Sequence, residues 1–116
     1  MYYRFENLEV WKNARVFIAN IYKLTKRFPK SEIFGLTSQI KRAAVSIALN
    51  IAECSDRRSD ADFKRFLRMA LGSVDEVVTG LYIALDLEFI EQKDFDILYK
   101  DSHKLTSQIR ALTNKL

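Results

Sequence analysis

A single proline, three glycines and one cysteine are all that this 116-residue chain holds of the residues that most often break, bend or cross-link a backbone. So few turn-formers leave little chain for loops, and most of it must be regular structure. One cysteine, Cys54, excludes an internal disulfide, and with one histidine there is no local Cys/His pattern for structural zinc. No apolar run approaches the ~18 to 20 residues of a membrane span, and the opening MYYRFENLEVW lacks a basic segment followed by an apolar one. A cytoplasmic protein away from the membrane is expected. Gly-rich phosphate loops, GxSxG elbows and HExxH motifs are absent as well.

What is present is 48% hydrophobic and 29% charged, the balance of a soluble globular chain, at a length that fills one domain, residues 1–116. The net charge of +4 is unevenly spread. Residues 1–72 hold 14 Lys/Arg against 7 Asp/Glu, whereas residues 73–116 hold 5 against 8. A basic first two thirds suits a polyanionic partner, although solvated Lys and Arg on helix exteriors are common.

Apolar periodicity predicts four helices. In the first, about 8–28, Val10, Ala14, Phe17, Ile21, Leu24 and Phe28 alternate steps of four and three, with Asn7 as the expected cap and Pro29 as the stop. The second, about 33–54, is apolar on two sides: Leu36, Ile40, Ala43, Ile47 and Ile51 make one face, and Val45, Leu49 and Ala52 another. Between them Gln39, Arg42, Ser46, Asn50 and Glu53 fall within about 80° and form a polar seam. A helix of this kind is expected to be buried twice, once in its bundle and once against another subunit, through Val45, Leu49 and Ala52.

Ser59-Asp-Ala-Asp62 has capping-box spacing, so a third helix, about 60–88, starts there. It carries Phe63, Leu67, Ala70, Val74, Val77, Leu81 and Ala84, with Gly72 and Gly80 expected to permit close backbone approach. The fourth, about 92–114, carries the stripe Phe95, Leu98, Ser102, Leu105, Ile109, Leu112 and Leu116 behind a poor cap, Glu91. Short connections make neighbours antiparallel, so the expected fold is all-α, an antiparallel up-and-down four-helix bundle; the competing arrangement is an open array closed by a partner.

Catalytic constellations find no support. Asp75 and Glu76 are adjacent and Asp94, Asp96 and Asp101 cluster, but bundle di-metal sites need inward Glu-x-x-His motifs, and His103 has Lys100 three residues before it. Cys54 follows Glu53, and nothing in the sequence places His103 beside it as the base that a nucleophile needs. No enzyme, cofactor or metal is expected. The basic cluster is the stronger signal: Arg57, Arg58, Lys64, Arg65 and Arg68 surround the start of helix 3, with Lys41 and Arg42 on helix 2, and their cations suit phosphate contacts. Asp56, Asp60 and Asp62 offer the competing reading, a balanced, solvated helix end. Tyr2, Tyr3 and Phe5 can stack on bases or fold back over the bundle end. Gln39, Ser46, Asn50 and Glu53 read as structural.

Leu8-Glu-Val-Trp11, Phe28-Pro29, Gly35-Leu-Thr-Ser-Gln39, Arg42-Ala-Ala-Val-Ser-Ile47, Asn50-Ile-Ala-Glu53 and Phe66-Leu67 with Ala70-Leu-Gly-Ser73 and Glu76 together give the chain a family likeness. It resembles the four-helix bundle family also called 23S rRNA intervening-sequence proteins, over nearly its whole length. Cys54 departs from the pattern, which places a glycine there to close helix 2 in a left-handed cap. The resemblance implies a homopentamer and an association with nucleic acid, since relatives are encoded within rRNA intervening sequences or assist reverse transcriptases of diversity-generating retroelements. It implies no reaction. The expected function is therefore a self-assembling protein that binds RNA or DNA through phosphates or serves a nucleic-acid-processing enzyme. The alternative is a scaffold for a protein partner, without direct nucleic-acid binding.

Overall fold

The computed structural model describes residues 2–56 and 59–116. Four helices, α1 (Glu9–Thr25), α2 (Leu36–Ser55), α3 (Asp60–Asp86) and α4 (Gln92–Asn114), are joined by short connections, with 3-10 turns at Arg4–Asn7 and Lys30–Glu32. Each helix packs against two others around a ring, with α4 closing onto α1. Cross-helix contacts fix the directions. On α2 and α3, Ser46 faces Ser73 and Ile40 faces Gly80; Asn13 of α1 bonds Gln108 of α4 at 3.1 Å, and Arg27, just past the end of α1, pairs with Asp94 of α4 at 2.9 Å. In each pair one number rises as the other falls, as antiparallel neighbours require. The fold is an all-α four-helix bundle, 44 Å long, close to the ~40 Å that the 27 residues of α3 span at 1.5 Å each.

The apolar stripes converge on one core. Phe17, Ile21, Ile40, Ile47, Ile51, Leu67, Leu81, Leu105 and Ile109 are among its fully buried members. The Ser102 hydroxyl in the same stripe donates to the Tyr99 carbonyl at 2.7 Å, and no buried side-chain N or O among the described residues lacks a partner.

Several helix ends differ from the sequence expectation. α1 starts from Leu8, not from an Asn7 cap, because Asn7 closes the preceding 3-10 turn. The α-helix stops at Thr25 and a tight turn carries Phe28 into the core before Pro29. α2 begins at Leu36, three residues later than expected, because Lys30–Glu32 forms its own turn and the Glu32 carboxylate accepts the Leu36 N–H at 3.0 Å. At its other end α2 runs through Cys54 to Ser55, and the Asp56 cap has φ −100, outside the left-handed region. Ser59 caps α3 as expected, accepting the Asp62 N–H at 3.1 Å. Glu91 precedes α4 with its own N–H bonded to Asp94 at 3.1 Å, which compensates for a weak cap residue.

Candidate nucleic-acid interface

The polar seam of α2 divides along its length. Gln39 and Arg42 are exposed on the outer surface, as is Glu53. Ser46 and Asn50 turn inward: the Asn50 amide donates to the Ser46 carbonyl at 2.9 Å and hydroxyl at 3.0 Å, and that hydroxyl lies 2.9 Å from Ser73 Oγ on α3. This small network satisfies a buried amide and pins α2 to α3.

On the second apolar side of α2, Val45 and Ala52 are half-buried, while Leu49 is 60% exposed. The face continues into the connection from α1, where Ile33 is 53% and Phe34 97% exposed. Val45, Leu49, Ile33 and Phe34 line, with Tyr22 of α1, an open groove of about 680 Å³ that also contains Lys41 and Arg42. The Lys41 ammonium stands 4.6 Å from the Tyr22 ring centroid, a cation–π contact that orients the charge along the groove.

The basic residues separate into two groups. Lys64 is half-buried and Arg65 and Arg68 are exposed on the first turns of α3; Arg57 and Arg58 lie outside the described residues. Arg65 is engaged locally, 3.7 Å from Asp62 and 4.5 Å from the Phe66 ring. The Ser46–Ser73 register sets Arg68 level with residue 51 and Lys64 level with residue 55, so Arg42 is about 14 to 20 Å along the axis from them. Lys41 and Arg42 instead stand near the α1–α2 connection, which carries Lys26 and Lys30, whereas Lys23 and Arg27 line a groove against α4. Between positions 23 and 42 these six cations meet one carboxylate, Glu32, and it is occupied by the Leu36 N–H. Sequence reading missed the first four because Pro29 splits the run between two elements; counting charge across the turn would have found them.

Of those cations Arg27 is committed to Asp94, on α4. Burial acts to raise that carboxyl, but the Arg27 hydrogen bond, the Glu91 N–H and the charges of Arg27 and Lys93 outweigh it and hold it below the usual carboxylate range. Lys23, Lys26, Lys30 and Arg42 form no ion pair with a described residue.

Cys54 is fully buried, its thiol 3.0 Å from the Ile51 carbonyl, and burial pushes its pKa up to about 11, so it is protonated near neutrality. His103 is exposed on α4, and Asp75 and Glu76 are exposed beside Gln39 at the α2–α3 groove. Among the described residues no three His, Cys, Asp or Glu side chains converge as a metal site. None of their helices is long and apolar enough to cross a membrane.

A profile of the 23S rRNA-intervening sequence proteins matches residues 6–111. The chain belongs to that family. A similar solved structure is that of a protein of unknown function from the S23 ribosomal protein family of Bacteroides thetaiotaomicron, with a TM-score of 0.83 and 26% identity over 90% of this chain and 97% of that one. No curated protein matches the chain. Family membership thus accompanies the four-helix bundle over all four helices.

Proposed function

We propose that this family member is a non-enzymatic, self-assembling protein that binds nucleic acid through phosphate contacts or serves as an accessory to a nucleic-acid-processing enzyme. The observation that carries the reading is the set of exposed cations without ion pairs at the α1–α2 end of the bundle, Lys26, Lys30 and Arg42, in a chain whose family is named for an rRNA intervening sequence. Lys and Arg that lack carboxylate partners keep their full attraction for phosphate. The exposed Leu49 side of α2, with Val45 and Ala52, supports contact between copies, because a monomer would leave that apolar strip in water. The homopentamer implied by the family likeness would repeat each basic group and convert weak single contacts into avidity. A cytoplasmic location suits such a partner.

Fluorescence anisotropy with labelled RNA and DNA tests the reading. Binding should weaken as salt rises, with log K falling by about 0.9 per phosphate contact on duplex DNA and about 0.7 on single strands, and should vary little with sequence. Replacing Arg57, Arg58, Lys64, Arg65 and Arg68 by Gln measures the share carried by the start of α3. Absence of any salt-sensitive binding by the wild-type protein would overturn the reading in favour of a protein scaffold.

A further inference from the structure

We infer that the α1–α2 end of the groove is a binding site for single-stranded nucleic acid, in which Phe34 stacks on a base and Lys26, Lys30, Lys41 and Arg42 hold the adjoining phosphates. The inference rests on the nucleic-acid reading above and gives it a place and a substrate class. Phe34 is the starting point. Its ring is 97% exposed, yet the backbone beneath it is fixed between a 3-10 turn and the first turn of α2, whose Leu36 N–H is tied to Glu32. Leaving an aromatic ring in water on a rigid support forgoes its hydrophobic stabilisation, so it is best explained by a flat, apolar partner.

The surroundings specify that partner. Lys26 follows Tyr22 by one helical turn, and so shares its face; Lys30 opens the 3-10 turn that ends two residues before Phe34; Lys41 lies over Tyr22; and Arg42 lines the same groove. Glu32, the one carboxylate between positions 23 and 42, is engaged by backbone, and Asp75 and Glu76 stand on the α3 side, in the groove with Gln39. A ring bordered by unpaired cations matches a polymer that alternates planar rings with anions. Single-stranded RNA or DNA has that repeat with its base faces free, whereas a duplex hides those faces in its own stack and an acidic peptide supplies carboxylates without rings. The volume of about 680 Å³ is that of an ordinary ligand cleft, open enough for a strand to pass. Val45 and Leu49, which the self-contact uses, line the far end of the groove, and Leu49 is eight residues beyond Lys41 on α2, about 12 Å along the axis, so an assembly can cover that end and leave the Phe34 end open.

The test compares the full chain with Phe34→Ala and with a Lys26→Gln/Lys30→Gln/Lys41→Gln variant. The probes are an unstructured labelled oligoribonucleotide, its deoxy counterpart and the corresponding duplex, with light scattering on every sample. Phe34→Ala should weaken single-strand binding about 5- to 140-fold while changing duplex binding little, since alanine substitution removes base stacking but no charge. The triple variant should lower the single-strand salt slope by about 2, from three lost phosphate contacts at ~0.7 each. The RNA and DNA arms report whether the 2′-hydroxyl matters. Wild-type binding that is unaffected by Phe34→Ala overturns this site and leaves the broader reading standing; no wild-type binding to any probe overturns the broader reading itself. A changed oligomer mass in Phe34→Ala, or equally tight displacement of the oligonucleotide by poly-glutamate, also overturns the site, assigning the ring to a subunit contact or the charge to an acidic protein.

Discussion

Gly72 and Gly80 share a helix and a residue type, and the structure gives them opposite roles. A β-carbon on Gly80 would stand 2.5 Å from Ile40 Cγ1 and 2.9 Å from Cδ1, and Ile40 is buried, so the glycine is what lets α3 approach α2. At Gly72 nothing lies within 4 Å, so the close approach expected there from the sequence does not exist. Gly80→Ala should therefore destabilise the fold, overpacking costing about 1 to 3 kcal/mol against a helix-propensity gain of at most about 1. Gly72→Ala should stabilise it by up to about 1 kcal/mol. Urea unfolding of the two variants checks both signs. Cys54 makes a second case. Its buried thiol should resist alkylation in the native protein and react once unfolded. Because its pKa is raised from 9.0 to about 11, its contribution to stability is fully present below about 9 and is lost as pH rises through about 11; thermal melts of wild type and Cys54→Ala across that window should converge at the alkaline end.

At the scale of the element, α3 ends in a left-handed turn built without glycine. Glu88 has φ 62; its N–H bonds to the Leu85 carbonyl at 3.0 Å, and the Phe89 N–H bonds to Ala84 at 2.9 Å, the two bonds of a Schellman cap. Phe89 then packs at 5.6 Å against Phe28, from the end of the first apolar stripe. A side chain in that conformation carries a strain glycine avoids, so Glu88→Gly should stabilise the bundle by about 0.5 to 1 kcal/mol, seen as a higher melting temperature. The cap itself was not legible, because nothing in Glu88 announces a positive φ. The stripes were. Val10 to Leu24 on α1 and Leu67 to Ala84 on α3 are buried at the positions their four–three spacing requires, since helical period alone decides which side chains face inward. The start of α2 escaped the same reasoning: a glutamate reaching forward from a separate 3-10 turn resembles no capping pattern in sequence.

For the whole molecule the two expected binding events depend on opposite forces, which makes them separable. The two-sided pattern of α2 was readable, and it places Leu49 outward beside half-buried Val45 and Ala52; the division of the cations into two groups was not, because it depends on how α2 registers against α3. Copies that each carry +4 repel one another, so assembly through this strip must come from apolar burial, about 1.5 to 3 kcal/mol for each leucine fully covered. Salt screens that repulsion and should strengthen self-association, while the same salt displaces nucleic acid from the lysines and arginines. Leu49→Glu puts a carboxylate in the middle of the strip and should reduce the mass seen by multi-angle light scattering to the 13.5 kDa of one chain, with the helical circular dichroism unchanged because Leu49 contributes little to the bundle core. In the wild type the mass should hold or rise as salt is raised from low to physiological. A 13.5 kDa wild-type species at micromolar concentration would remove self-assembly, and an undiminished mass in Leu49→Glu would move the contact to another face of the bundle.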